Sequence, residues 1–427
     1  MNYTQTLQAL YQRNEFSIKL GLSNIRRLLT LLGHPEKYFP ALHVAGTNGK
    51  GSVCAMIASV LQASGYRTGL YTSPHLIDFR ERIQIQGCPI SKKELVQGYQ
   101  RIQALMEKEK QRKKNFSPTY FEIVTALAFD FFARHKVDIA VLETGLGGRL
   151  DATNLCHPLV TVITHVDWDH QAYLGNRLRD IAMEKAGILK QGIPCVTAER
   201  KSSILQLLKS QARQNKAKLI PLFESQNAFL NGSYQGIFWH LDSLQIPLSG
   251  IHQHTNAFTA LRTLEELSQQ GFPIPPQAIH TGLKKTHWLG RFHIVSQNPQ
   301  IILDGAHNPE ALQMLVTTLQ QKKIQKVVFI FGMMQDKDIK KAIRILGQIS
   351  RTFYLVEAPL PRATSVESLK ILFKKIMPKG NFYPIKKTSL ALQLTQRQFH
   401  NTGYTICVCG SLYIVGEALK ALRIPTL

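Results

Sequence analysis

Short apolar runs, each bounded by glycine, proline or small polar residues, recur along the chain and alternate with longer stretches of helical spacing. The runs at 41–45, 68–72, 138–143, 159–164 and 193–198 are continuously apolar or nearly so, which is the pattern of strands buried on both faces of a parallel sheet. Between them, apolar positions fall at helical intervals over 53–63, 92–114, 119–133 and 178–190. Residues 1–37 read as mainly helical, through Ile18, Leu22, Ile25, Leu28, Leu29 and Leu32, with a stop at Gly33-His34-Pro35. The stretch 220–250 is less regular, with short alternating segments, and a clear helix returns over 250–271. After WLGRF (288–292) the alternation restarts: strands at 301–306, 327–332, 352–358, 382–385 and 404–410 are separated by helical stretches, the first of them with Asn308 as N-cap and Pro309 in its first turn. The chain is therefore expected to be an α/β protein of two domains. The first, 1–288, is P-loop ATPase-like with a central mostly parallel sheet; the second, 289–427, is a smaller Rossmann-like α/β domain.

The first apolar run breaks into Gly46-Thr47-Asn48-Gly49-Lys50-Gly51-Ser52. Glycines there let backbone N–H groups converge on an anion, and the positive end of the helix that follows faces the same place. Lys50 would reach the outer phosphates of a nucleotide, and Ser52 could support Mg²⁺ directly or through water. The spacing departs from the commonest phosphate loop: the first glycine of that template falls on Val44, and Gly51 intervenes before Ser52. A glycine-rich turn that holds nothing is the plainer alternative, and the order strand, glycines, lysine, hydroxyl, helix argues against it.

Two further strand ends carry chemistry. The run 138–143 delivers Glu143 to a second glycine-rich turn, where a parallel-sheet enzyme places groups that face its ligand crevice, so Glu143 is a Mg²⁺ candidate. The run 159–164 ends in HVDWDH, which sets His165, Asp167, Asp169 and His170 on one turn and suggests a metal or phosphoryl site, with no zinc-like Cys/His layout beside it. The loop 72–87 crowds Ser73, His75, Asp78, Arg80, Glu81 and Arg82 together; on residue types alone it reads equally well as a solvated connection. Lys185 by itself reads as a lysine near a helix end.

Composition narrows the setting. With 427 residues, 44% of them hydrophobic, the chain can bury a large core. No run is long and apolar enough for a membrane span, and the N-terminus lacks a signal-peptide layout, so the cytoplasm and no membrane partner are expected. Six scattered cysteines read as free thiols, Cys407 and Cys409 as alternate positions of one strand. The net charge of +24 would attract nucleic acid, a nucleotide or a polycarboxylate alike, and does not choose among them.

Taken together, HVAGTNGKGS (43–52), TSPHLIDFRERI (72–83), FEIVTALAF (121–129), LETGLGGRLDATN (142–154), DHQAYLG (169–175), MEKAGILK (183–190), HQHTNAFTAL (252–261), LGRF (289–292), DGAHNP (304–309) and GMMQDKDI (332–339) resemble folylpolyglutamate synthase/dihydrofolate synthase, the folate branch of the Mur ligase superfamily. The motifs span nearly the whole chain in family order. The resemblance implies a Mur-type ATP-binding central domain, a Mur-type C-terminal domain, and an ATP- and Mg²⁺-dependent ligase. That ligase joins L-glutamate to dihydropteroate and to reduced folates such as tetrahydrofolate, through an acyl phosphate. It implies that the loop from Gly46 to Ser52 holds the triphosphate with Lys50 on the outer phosphates. It also implies that Ser73 and Glu143 hold one magnesium and His170 a second, and that Lys185 is carbamylated. Asn256, Arg291, Asp304 and His307 would bind nucleotide, Arg291 and His307 near phosphate and Asp304 near the ribose. Three positions depart from the family pattern: Asp167 and Trp168 stand where relatives usually have small or apolar residues, and Thr144 where valine is commoner.

Two other functions compete. A cell-wall Mur ligase usually carries a substrate-binding domain ahead of the phosphate loop, and only about 40 residues precede it here. A basic nucleic-acid-binding ATPase would show an ordered basic stripe with interleaved aromatics. The basic residues here are dispersed, so no nucleic-acid partner is expected; a monomer is.

Overall fold

The computed structural model describes residues 1–13, 21–113, 115–224, 228–230 and 232–426. The sequence-predicted helical position Ile18 lies outside the described residues, as does the last residue of the helix expected over 92–114. The chain forms two compact units: Met1–His75, Arg80–Ile246 and Thr255–Thr286 make the first, while Leu76–Phe79, Pro247–His254 and His287–Leu427 make the second.

The first unit is built on an eight-stranded sheet. Its strands are β1 (Ala41–Ala45), β2 (Thr68–Tyr71), β3 (Ile83–Ile85), β4 (Cys88–Pro89), β5 (Ile139–Glu143), β6 (Pro158–Ile163), β7 (Pro194–Thr197) and β8 (Lys218–Pro221). They lie in the order β4-β3-β2-β5-β1-β6-β7-β8, parallel from β2 to β8, with β3 and β4 antiparallel at one edge. All five residues of β1 and of β5 are buried, His43 and Glu143 included, as expected of mainly apolar strands covered on both faces. Register then fixes the site. Val44 pairs with Glu143 on one side and with Val162 on the other, and Ala45 with Ile163, so β1, β5 and β6 end side by side. The loops that leave those three ends form the crevice where open α/β sheets bind ligands.

A small antiparallel sheet of β9 (Ala228–Leu230), β10 (Ser233–Gln235) and β11 (His240–Leu241) lies within the stretch expected to be irregular. Its anchor is Glu265, fully buried on the helix Ile251–Ser268. That carboxylate accepts from Tyr234 Oη at 2.9 Å, from the Phe238 and Trp239 amides at 2.7 and 2.8 Å, and from Arg262 Nη1 at 2.9 Å. A buried carboxylate needs such a set of donors.

The second unit carries a six-stranded sheet of β12 (His293–Gln297), β13 (Gln300–Leu303), β14 (Val327–Phe331), β15 (Thr352–Val356), β16 (Asn381–Lys386) and β17 (Thr405–Cys409), in the order β12-β13-β17-β14-β15-β16. Only the β12–β13 pair is antiparallel. Phe329, Phe331, Phe353, Cys407 and Cys409 pack into one apolar layer and Val328, Ile330, Tyr354, Ile406 and Val408 into the other, the alternation expected of strands sandwiched between helices. All six cysteines are free thiols. The N-cap at Asn308 is made as its sequence predicts: its side chain accepts from the Ala311 amide at 2.9 Å, at the head of the helix Pro309–Gln321.

Candidate active site

The phosphate loop leaves β1 at Gly46 and enters the helix Lys50–Ala63, three residues earlier than the apolar pattern alone indicates. Lys50, Gly51 and Ser52 therefore sit in the first helical turn, where amides have no intrahelical acceptor and are available to an anion. Two glycines are required by geometry. Gly46 has φ +148°, and a Cβ there would lie 1.8 Å from Thr164 Oγ1. Gly49, with φ +86°, caps the helix, and a Cβ there would lie 2.5 Å from Asn256 Oδ1. The second contact brings Asn256, distant in sequence, against the loop. Thr164, at the end of β6, closes the other flank by donating to the Asn48 carbonyl at 2.7 Å.

Two lysines converge on this loop. Lys50 Nζ folds back to donate to the carbonyls of Gly46 at 3.1 Å and Thr47 at 3.2 Å. Lys185, on the helix Leu178–Ala186, is only 3% exposed and donates to the same Gly46 carbonyl at 2.8 Å. Burial first, and then the charge of Lys50, push the Lys185 amine down to about 7, with Asp169 and Asp151 acting in the opposite direction. The sequence alone made Lys185 an ordinary helix-end lysine; its burial against the loop is what the fold adds.

Glu143 ends β5, buried, and accepts from the Ser73 amide at 3.0 Å, so these two candidates meet. His170 stands on the turn after β6 in the left-handed region at φ +49°, with Nε2 3.7 Å from Asp169 Oδ2. Among the described residues no three His, Cys, Asp or Glu side chains gather into a metal cluster. Ser73 and Glu143 supply oxygen atoms, the donors that suit Mg²⁺, which keeps several of its own waters.

A buried relay supports the second glycine-rich turn. Asp151 accepts from the Leu146 amide at 2.8 Å, the Thr153 amide at 3.0 Å and Thr153 Oγ1 at 2.5 Å. Thr153 Oγ1 thus donates to the carboxylate and accepts from His43 Nε2–H at 2.8 Å. Burial, with a smaller push from Lys190, lowers His43 to about 3, which keeps it neutral, and the Thr153 hydroxyl committed to Asp151 selects the Nε2–H tautomer. Gly148 and Gly187 let the turn press on the end of Lys185's helix: a Cβ on Gly187 would fall 2.3 Å from the Arg149 backbone. Sequence reading missed His43 because a histidine inside an apolar strand has no local signature.

In the second unit, Asp304 and His307 follow β13 directly. Asp304 is buried and accepts from the Phe292 and Ala306 amides, both at 2.8 Å, so it fixes the loop beside Arg291. A Cβ on Gly305 would lie 2.3 Å from Arg291 Nη1, which places the guanidinium over that glycine. His307 Nδ1–H donates to the Gly305 carbonyl at 2.8 Å. Arg291, Asp304 and His307 are therefore neighbours within their own unit.

Residues 44–264 match the Mur ligase middle domain, and residues 290–412 match the glutamate ligase domain of Mur ligases. The chain is 38% identical over 432 residues to a dihydrofolate synthase/folylpolyglutamate synthase of Bacillus subtilis, covering 99% of each. It is 37% identical over 435 residues to a folylpolyglutamate synthase of Lacticaseibacillus casei, again covering 99% of each. Among solved structures, it superposes with a TM-score of 0.89 on an Escherichia coli protein in complex with DHPP and ADP, at 30% identity and covering 99% of this chain and 98% of that one. With a Yersinia pestis bifunctional folylpolyglutamate synthase/dihydrofolate synthase complexed with AMPPNP and a Mn ion the TM-score is 0.86, at 31% identity over 99% of this chain and 98% of the other.

Proposed function

The chain belongs to the folylpolyglutamate synthase/dihydrofolate synthase family of Mur ligases, and on that premise we propose that it joins L-glutamate to dihydropteroate, forming dihydrofolate, and to tetrahydrofolate or its polyglutamates. In each case ATP is converted to ADP and phosphate. The observation that carries the reading is the meeting of Lys50 and Lys185 on one carbonyl of a glycine loop at the head of a helix, one strand away from Glu143.

A carboxylate is a poor electrophile, so its oxygen first attacks the γ-phosphorus; the bond to the ADP oxygen breaks and an acyl phosphate forms. The glutamate amine then attacks the acyl carbon and phosphate leaves. Loop amides from Gly46 to Ser52 would hold the triphosphate, and Lys50 would swing from its own loop carbonyls to the outer phosphates. Asn256 of the first unit, and Arg291, Asp304 and His307 of the second, are each read as nucleotide-binding residues. His307, whose Nδ1–H is engaged with Gly305, would use Nε2 toward phosphate. Ser73, Glu143 and His170 would hold Mg²⁺, which when bound neutralises charge on the phosphoryl oxygens.

Lys185 is read as carbamylated. With its amine near 7, a large neutral fraction exists at physiological pH to attack CO₂; the N–C bond forms, a proton goes to solvent, and an anionic group replaces the ammonium beside Gly46. The protein is read as a monomer of the cytoplasm; among the described residues, no helix is long and apolar enough to cross a membrane.

Dihydropteroate labelled with ¹⁸O in its carboxylate tests the chemistry. Label recovered in the released phosphate is expected, because the attacking oxygen leaves with phosphorus. Product formed with no label in phosphate would exclude the acyl phosphate.

A further inference from the structure

The turn after β6 is held by a bracket from the next strand. Glu199, two residues past β7, is 2% exposed. Its carboxylate accepts from the Val166 amide at 2.7 Å and from the Arg200 and Lys201 amides at 2.9 and 2.8 Å. Lys201 Nζ returns to the same turn, donating to the Val166 carbonyl at 2.8 Å and lying 3.7 Å from Asp167 Oδ2. Asp167 in turn is fastened to the phosphate loop. Its amide donates to Thr47 Oγ1 at 2.9 Å, and that hydroxyl donates to the Asp167 carbonyl at 3.0 Å.

The arrangement sets a carboxylate beside a loop built to receive an anion. An uncompensated Asp167 would repel a nucleotide's phosphates, and a turn free to shift would carry Thr47 with it. Lys201 answers both problems: one ammonium sits against the Asp167 charge and pins the turn through the Val166 carbonyl. Glu199 holds the turn through backbone amides, and Lys201 adds a positive charge beside Asp167.

We infer that Lys201 is a positioning residue of the nucleotide site, neutralising Asp167 and holding the 165–170 turn against Thr47. The inference rests on the reading of residues 46–52 as the phosphate site. Lys201 never touches the nucleotide in this account. It acts through Asp167 and Val166.

A double-mutant cycle tests it, with dissociation constants for Mg·ADP measured by calorimetry on the full chain. Lys201→Met keeps an unbranched side chain of similar reach while removing the charge and the donor; its side chain is 41% exposed, so the core is not at risk. Asp167→Asn keeps the oxygen that accepts from the Trp168 amide at 2.8 Å while removing the charge. Lys201→Met is expected to weaken Mg·ADP binding about fivefold at low salt, and the double variant to return to within about twofold of the parent, the coupling of neighbours that share one interaction. Lys201→Arg is expected to bind within about twofold of the parent, and the loss in Lys201→Met to shrink at high salt as screening shortens the reach of Asp167. A loss that persists unchanged when Asp167 is neutralised would mean a merely structural lysine and would overturn the inference, as would no loss at all. Failure of the parent protein to bind Mg·ADP would instead sink the phosphate-site reading, and this inference with it.

Discussion

Lys50 and Lys185, separated by more than a hundred residues, donate to one acceptor: the Gly46 carbonyl receives Lys50 Nζ at 3.1 Å and Lys185 Nζ at 2.8 Å. Burial penalises an ammonium on Lys185, and that of Lys50 repels it further. The pair is held for what it does with a third charge. On the proposed reading, triphosphate would relieve Lys50, and a carbamate on Lys185 would turn repulsion into attraction. Lys50→Ala is expected to lower kcat about 10²- to 10³-fold, the usual loss when one preorganised donor to a developing charge is removed. Its melting temperature should stay close to that of the parent. Full turnover in this variant, measured under saturating ATP, would remove the phosphate loop from the mechanism.

The Lys185 amine also predicts a pH dependence of stability. Its folded value, about 7, lies below the ordinary 10.5. Below about 7 the amine is charged in both the folded and unfolded chain, and the cost of burying it is present in full. Between about 7 and 10.5 the folded chain has shed the proton and the unfolded chain has not, so stability rises with pH across that window. In bicarbonate-free buffer, Lys185→Met should therefore be more stable than the parent at acid pH, and its advantage should shrink as pH climbs through the window. Urea midpoints at several pH values check this; a difference that ignores pH would contradict it.

Carbamylation, as proposed, would give Lys185 a second signature. Intact protein kept in bicarbonate should carry the added mass of carbon dioxide, lost in Lys185→Met and on acidification. An unmodified enzyme with full activity would refute the assignment.

The buried relay His43–Thr153–Asp151 makes a stability prediction. Thr153→Val matches the shape of the side chain but leaves the His43 Nε2–H without its acceptor and Asp151 without one donor, both in the interior. The expected cost is about 1–3 kcal/mol, the penalty for stranding a buried polar group. It should appear as a lower urea midpoint with an unchanged slope. No change in midpoint would mean the relay is not made.

Gly46 and Thr164 give a steric test. Gly46→Ala drives a methyl to 1.8 Å from Thr164 Oγ1 and imposes φ +148° on an L residue. Nucleotide binding is expected to be lost. Combining it with Thr164→Ala removes the Oγ1 contact but leaves Cβ of residue 164 at 3.0 Å and the backbone strain, so binding should return only in part. Complete recovery in the double variant would show that the backbone there has no need of glycine.

What the sequence shows of this site and what it hides divide along a physical line. The loop 46–52 and the carboxylate at Glu143 are legible because each follows a continuous buried run, and strand ends in a parallel sheet point to one crevice. Asn308 is legible because a cap is a local interaction. By contrast, Thr164 on Gly46, Asn256 on Gly49 and Thr153 on His43 depend on which strands and helices become neighbours, a long-range outcome that no window of sequence contains. The strand β12 was hidden for another reason: HIVSQ is short, half-exposed and lacks the apolar run that marks the interior strands. The early start of the helix at Lys50 was hidden because glycine and lysine there follow the needs of an anion site rather than the apolar period.

Ligation of L-glutamate to a folate-type carboxylate is tested most directly by incorporation of labelled L-glutamate in the presence of ATP and Mg²⁺. Dihydropteroate and tetrahydrofolate are offered in separate tubes. Label is expected in both products and in neither without ATP. Incorporation into one acceptor alone would narrow the enzyme to a single step, and hydrolysis of ATP with no incorporation into either would contradict the claim.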